Sequence, residues 1–213
     1  MSRLIQDLRF ACRTLLKSPG FAFVAIASLA LSLGANTAIF SFVNAVLLKP
    51  LPYPNADRIV RVLEAPPGGG RNGISTLNFL DWQKQNNCFD FMAAQAGGSA
   101  ALTGVEEPIQ IPGARVSAHF FDIFGVHAAL GRTFVDGEDQ TGKDHVVVLS
   151  HALWQTQFGA DPAIVGHTIL LDGEKHTVVG VLPKGTPFER GYAKLWQPLA
   201  FLPSNMTRNF HWF

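Results

Sequence analysis

Residues Phe21–Leu48 (FAFVAIASLALSLGANTAIFSFVNAVLL) form a run of 28 residues without one charged side chain. As a helix rising about 1.5 Å per residue it is roughly 40 Å long, against a bilayer hydrocarbon core of roughly 30 Å. It is long enough to span a membrane and project beyond it. Pro19 and Gly20 set its start, and Pro50, Pro52 and Pro54 stop it. A cleaved signal peptide is the other reading of an N-terminal apolar run. Its apolar region runs to about 7–15 residues behind a short basic stretch, and both parts are longer here.

Charge orients the span. Arg3, Arg9, Arg13 and Lys17 precede it against a single acid, Asp7, whereas Lys49, Arg58 and Arg61 after it are partly balanced by Asp57 and Glu64. Basic residues stay on the cytoplasmic side, so the N-terminus is expected in the cytoplasm and residues 50–213 outside it. The formal net charge is +1. A basic head on a mildly acidic body argues against nucleic acid, which needs a sustained basic stripe, and fits contact with anionic membrane lipid. Cys12 and Cys88 fall on opposite sides of the span, which argues against a disulfide between them.

Two features of this region are candidate sites. Ala30, Gly34 and Ala38 recur every fourth residue, a small-residue stripe that permits close approach of another helix. Asn36, Thr37 and Asn44 favour a helix partner over lipid. Small residues are common in any span, but Asn36 is costly against lipid, which favours a packing face of a larger bundle. Ahead of the span, residues 3–17 place Leu4, Ile5, Leu8, Ala11, Cys12, Leu15 and Leu16 in one helical arc. Arg3, Gln6, Asp7, Arg9, Arg13, Thr14 and Lys17 take the other, with Phe10 the misfit. This pattern belongs to a helix lying in the membrane interface or packed on a cytoplasmic partner. Arg9, Arg13 and Lys17 are the candidate docking residues.

Beyond the span the pattern becomes mixed. Arg58–Glu64 alternates apolar and charged residues and predicts a half-buried strand; Ser75–Gln85 predicts a helix capped by Ser75 or Thr76. Ile109–Val116 predicts a strand leading into a helix over Ala118–Phe124. The apolar run His145–Ser150 predicts a strand buried on both faces, after which Ser150 caps a helix that Gly159 stops. Two strand-like runs, His167–Gly173 and Lys175–Pro183, flank Asp172-Gly173 and predict a hairpin. Asp161–Ala163 predicts a turn, and Lys194–Phe201 a strand or edge. The closing Asn209–Phe213, dense in aromatics, is expected to be an interruption within an element.

Chemistry-bearing motifs are sparse. His145 and His151 lie six apart, without HxxxH or HExxH spacing, so no metal site is expected. Asp136, Glu138, Asp139 and Asp144 lack the ligand order of a calcium loop and predict a solvated turn. The glycine-rich Ala65–Gly73 lacks the Lys-Ser/Thr of a phosphate loop, and no GxSxG elbow occurs. No catalytic residue, cofactor or enzymatic activity is expected.

Several segments carry a family resemblance: Lys17–Val62, FLDWQKQN (Phe79–Asn86), Gly113–Phe134, VVVLSHALWQTQFGADPAIVG (Val146–Gly166) and TILLDGEKHTVVGVLP (Thr168–Pro183). In this order they resemble MacB-like ABC transporter permeases of the FtsX-like permease superfamily, most of all the large orphan permeases of that group in acidobacteria. The resemblance covers nearly the whole chain. It implies an α+β chain in three parts: a cytoplasmic amphipathic helix (1–19), a transmembrane helix (20–49) and a periplasmic core domain (50–213). In that family the core domain has porter-like βαβ units and an inserted β-rich subdomain. It also implies an export or mechanotransmission role, with a separate cytoplasmic ABC ATPase and further permease helices, or a second permease copy, as partners. Two departures stand out. Gly142-Lys143-Asp144 is no Walker A motif, so the ATPase must be another chain, and the later transmembrane helices of the family are missing. The chain is therefore expected to be the N-terminal portion of a permease, or alternatively a membrane-anchored binding or scaffold domain without transport activity.

Overall fold

A computed structural model describes residues 5–6, 9–10, 13, 16–45, 53–104, 107–201 and 206–208. The chain divides into two compact units, residues 1–51 and 52–213.

The first unit is built on helix α1, Pro19–Val43, of 25 residues. Proline occupies its first turn, where a missing N–H costs nothing, and the Ala22 N–H donates to Ser18 O at 3.0 Å. No residue of α1 is buried within the chain, and Phe21, Leu31, Leu33 and Phe42 are exposed. Its length and apolarity suffice to cross a membrane. Within it the Thr37 hydroxyl donates to Leu33 O at 2.8 Å, so this polar group is satisfied without water. Ahead of α1, Ile5, Gln6, Arg9, Phe10, Arg13, Leu16 and Lys17 are helical and exposed. The other residues of the expected amphipathic pattern, and residues 46–49 of the expected span, lie outside the described residues.

The second unit is a mixed α/β domain around a seven-stranded sheet. Its strands are β1 (Gln95–Thr103), β2 (Ile109–Val116), β3 (Leu130–Gly131), β4 (Val146–Leu149), β5 (Thr168–Leu171), β6 (Glu174–Val181) and β7 (Leu195–Pro198). Its helices are α2 (Thr76–Gln85), α3 (Phe120–Ile123) and α4 (His151–Phe158). The order is β3-β6-β4-β7-β2-β1-β5, and β5 pairs again with β6. Six strands therefore close into a ring, with the short β3 as an extra on β6. The pairings β4–β6 and β2–β7 are parallel and the rest antiparallel. Between the parallel partners β4 and β6 the chain passes through α4 and β5.

Closure puts one apolar cluster inside the ring, drawing on all six strands: Leu102, Ile111, Val147, Leu149, Ile169, Leu171, Val178, Val181 and Leu195 are among its members, with Leu153 of α4. A register shift between Val147 and Val148 lets Val178 and Val181, three apart on β6, face the same cluster. The outer face carries a second, aromatic cluster in which Phe121 and Trp196 are almost fully buried. Phe121 meets the rings of Phe120, Phe134, Phe188 and Trp196 at centroid distances of 5.5–5.8 Å. A third cluster joins Phe79 of α2 to Ile74, Ala94 and Leu199.

The central expectations match these elements closely. Ser150 caps α4 by accepting from the Leu153 N–H at 3.1 Å, and Gly159 ends it at a φ of 61°. Asp172 and Gly173 both have positive φ, 53° and 83°, which the tight β5–β6 turn requires. Helix α3 is shorter than Ala118–Phe124, because residues 118–119 form a turn and Gly125 at φ 60° ends it.

The strand expected at Arg58–Glu64 is not there. Ala56–Arg58 is a 3-10 turn entered through Asn55 at φ 54°, and the following residues run on without a strand partner. Only Glu64 forms a bridge, to Asn72. Alternation marks a strand only where a sheet edge is open to it, and Val62 instead packs directly on the third cluster.

Candidate functional site

In the first unit the small-residue stripe lies open. Ala30, Gly34 and Ala38 are all exposed, and a side chain added at Gly34 meets nothing within 4 Å. At about 1.5 Å per residue the stripe extends roughly 12 Å along one face, enough for a second helix to cross closely. Arg9, Arg13 and Lys17 are exposed on helical backbone.

In the second unit, among the described residues, two clefts share Trp82 of α2 in their walls. On one side is a cleft of about 300 Å³ walled by Leu63, Pro66, Asn78 and Trp82. Its floor is Glu64, whose Oε1 accepts from the Ser75 N–H (3.0 Å), the Ser75 hydroxyl (3.3 Å) and the Asn78 amide (2.8 Å). Ser75 thus spends its hydroxyl on Glu64 rather than on capping α2, and the carboxylate takes the place of a cap at the helix start. Three donors on one oxygen make Glu64 a strut between the 64–72 loop and α2. On the other side of Trp82 a second cleft, about 280 Å³ and mostly apolar, is walled by Val62, Cys88, Phe89 and Met92. Arg208 closes over α2, donating to Asn78 Oδ1 and, at 2.6 Å, to Asp81 Oδ2.

The acidic loop is tied down carboxylate by carboxylate. Arg132 donates to both oxygens of Glu138, at 2.9 and 2.6 Å, and the Val135 N–H donates to the same carboxylate at 3.0 Å. Burial pushes the Glu138 carboxyl up, but these hydrogen bonds and the guanidinium charge outweigh it and hold it below the usual carboxylate range. The hydrogen bond to Glu138 in turn raises the Arg132 guanidinium, against the effect of burial. Asp139 accepts the Ala118 N–H at 3.1 Å, Asp136 meets His119 Nε2 at 3.0 Å, and Asp144 accepts the Gly142 N–H at 2.9 Å. These carboxylates serve separate partners rather than one centre. His145 and His151 are likewise separated: His151 stacks edge-on against Trp154 at 5.3 Å, while His145 stands 5.2 Å from the ring of His176.

Glu64 and Trp82 escape motif reading because their roles depend on loop packing. Only the hydrophobic surface of the 75–85 helix pointed toward Trp82.

A family model described as the MacB-like periplasmic core domain matches residues 22–212. No curated protein matches the sequence significantly. Among solved structures, the extracellular domain of the noncanonic ABC-type transporter YknZ from Gram-positive bacteria is 22% identical at a TM-score of 0.46, over 56% of this chain and 60% of that one. The periplasmic region of MacB from Actinobacillus actinomycetemcomitans is 15% identical at a TM-score of 0.45, over 68% of this chain and 59% of that one. The chain thus spans about three fifths of the length of each of these two structures.

Proposed function

The chain belongs to the family of MacB-like periplasmic core domains, and from that membership we propose that it is a permease component of an ABC-type export or mechanotransmission system. The observation that carries the reading is the union, in one chain, of a span-length apolar helix and a domain of this family. Residues 52–213 work on the periplasmic side of the inner membrane, and a separate cytoplasmic ABC ATPase drives them. Helix α1 acts as the lever. It is longer than the hydrocarbon core, and its Ala30–Gly34–Ala38 stripe seats it against other permease helices or a second permease copy. Arg9, Arg13 and Lys17 engage the ATPase or the anionic lipid surface beside it. The chain contributes motion and contact rather than chemistry.

Affinity purification of the full chain from native membranes in mild detergent tests this. An ABC ATPase should co-purify, and changing Arg9, Arg13 and Lys17 together to Gln should reduce its recovery severalfold. Recovery without any ATPase would favour the membrane-anchored scaffold. Unchanged recovery in the triple variant would remove the three cations from the docking surface.

A further inference from the structure

We propose that His145, Glu174 and His176 form a binding site for a divalent cation of the zinc class at the rim of the closed sheet. One ring nitrogen from each histidine and one Glu174 oxygen lie within 4.8 Å of one another. The backbone puts them there. Glu174 and His176 are two apart on β6 and so face the same side. His145 directly precedes β4, whose Val146 pairs with Thr177, and the Thr177 N–H donates to His145 O at 2.9 Å. His145 thus sits beside His176 at the end of the ring away from α4.

The buried member, His176, is held in place by two hydrogen bonds. His176 is only 6% exposed, and its Nδ1 lies 3.2 Å from Glu174 O. A carbonyl only accepts, so Nδ1 carries the proton and Nε2 keeps its lone pair. A metal-bound histidine characteristically donates its other N–H to a backbone carbonyl or carboxylate, which fixes ring and tautomer. The Nε2 lone pair receives the buried Gln197 amide at 3.1 Å, a hydrogen bond that the ion replaces on binding.

The other two ligands can move. His145 Nδ1 and Glu174 Oε2 are 4.0 Å apart, with side chains 49% and 69% exposed. Metal–ligand bonds of about 2.0–2.2 Å in a tetrahedron bring ligand atoms to about 3.4 Å, so these two side chains close on a fixed His176. Two imidazoles and one carboxylate suit zinc over the oxygen-preferring magnesium and calcium, and leave a fourth position for water. The ion clasps the start of β4 to the β5–β6 hairpin.

The test uses the full chain in detergent micelles, with any affinity tag removed and metal stripped by chelator. It is titrated with Zn²⁺ by calorimetry and with Co²⁺ by visible absorption. One equivalent should bind, with the tetrahedral Co²⁺ spectrum. His145→Ala and Glu174→Gln, both at exposed positions, should each weaken binding at least tenfold, while His127→Ala, at an exposed histidine elsewhere, should not change it. Tryptophan fluorescence checks that each variant is folded. Absence of saturable binding, binding in both site variants as tight as in the unaltered chain, or loss confined to one of them would overturn the three-ligand site.

Discussion

The ring of strands is joined by two residue pairs where β1 meets β5, as it is where β4 meets β7, and Asp172 reinforces the β1–β5 seam. Only Leu102↔Leu171 and Thr103↔Leu170 are in register there. Asp172 adds two hydrogen bonds: its N–H donates to Ala101 O, and its Oδ1 accepts the Ala101 N–H, each at 2.8 Å. It does so from a left-handed backbone at φ 53°. Asp172→Ala removes the side-chain bond, worth about 1 kcal/mol at a solvent-facing site. It also forces alanine into a conformation that costs roughly 1 kcal/mol more than for an Asx residue. The expected loss is about 2 kcal/mol. With a urea m-value of about 2 kcal/mol/M, the midpoint falls by roughly 1 M. Asp172→Asn keeps the acceptor and the tolerance of positive φ, and should cost less than about 0.5 kcal/mol. Asp172→Gly relieves the backbone but not the lost bond, and should fall between them. The assay is urea unfolding of the full chain in micelles, followed by the fluorescence of its 4 tryptophans, all outside α1. An Asn variant as damaged as Ala, or an Ala variant within about 0.5 kcal/mol of the unaltered chain, would refute the closing role of Asp172.

Gly180→Ala should be more damaging still, because the added methyl would overlap the Arg132 carbonyl, backbone that cannot yield; a loss of about 3 kcal/mol or more is expected in the same urea assay. Glu138 gives a signed pH effect. Its folded carboxyl is held below the ordinary range, so its contribution is present above the unfolded value and lost as pH falls through the folded one. Glu138→Gln should lower stability at neutral pH and flatten the acid limb of a stability–pH curve; an unchanged limb would count against the Arg132 pairing. In the membrane, Gly34→Leu fills the open stripe and should abolish helix–helix crosslinking that Gly34→Ala preserves, whereas equal crosslinking in both would discard the stripe as a packing face.

How much of this was legible follows from what each segment depends on. Val146–Leu149, α4 and the β5–β6 hairpin carry their own instructions: a buried apolar run, the Ser150 cap, the Gly159 stop and the Asp172-Gly173 turn. Strand β1 does not. Gln95–Thr103 (QAGGSAALT) has a single β-branched residue and is held as a strand by its long antiparallel register with β2. The two-residue β3 depends on Gly131 lying against β6, a tertiary contact without sequence period. Arg58–Glu64 shows the reverse error, a strand pattern with no sheet edge to join. The candidate sites divide in the same way. The stripe and basic residues of the N-terminal unit are periodic and visible in sequence. His145 and His176 are 31 positions apart and meet only because β4 and β6 pair in parallel.

The central claim is that α1 crosses the membrane and carries the second unit to its far side. The chain has 2 cysteines, Cys12 ahead of the helix and the exposed Cys88 after it. With Cys12 changed to Ser, spheroplasts are treated with a membrane-impermeant maleimide before and after lysis; the reciprocal Cys88→Ser chain reports on Cys12. Cys88 should label fully in intact spheroplasts and Cys12 only after lysis. Labelling of Cys88 only after lysis would put the domain in the cytoplasm and contradict the account.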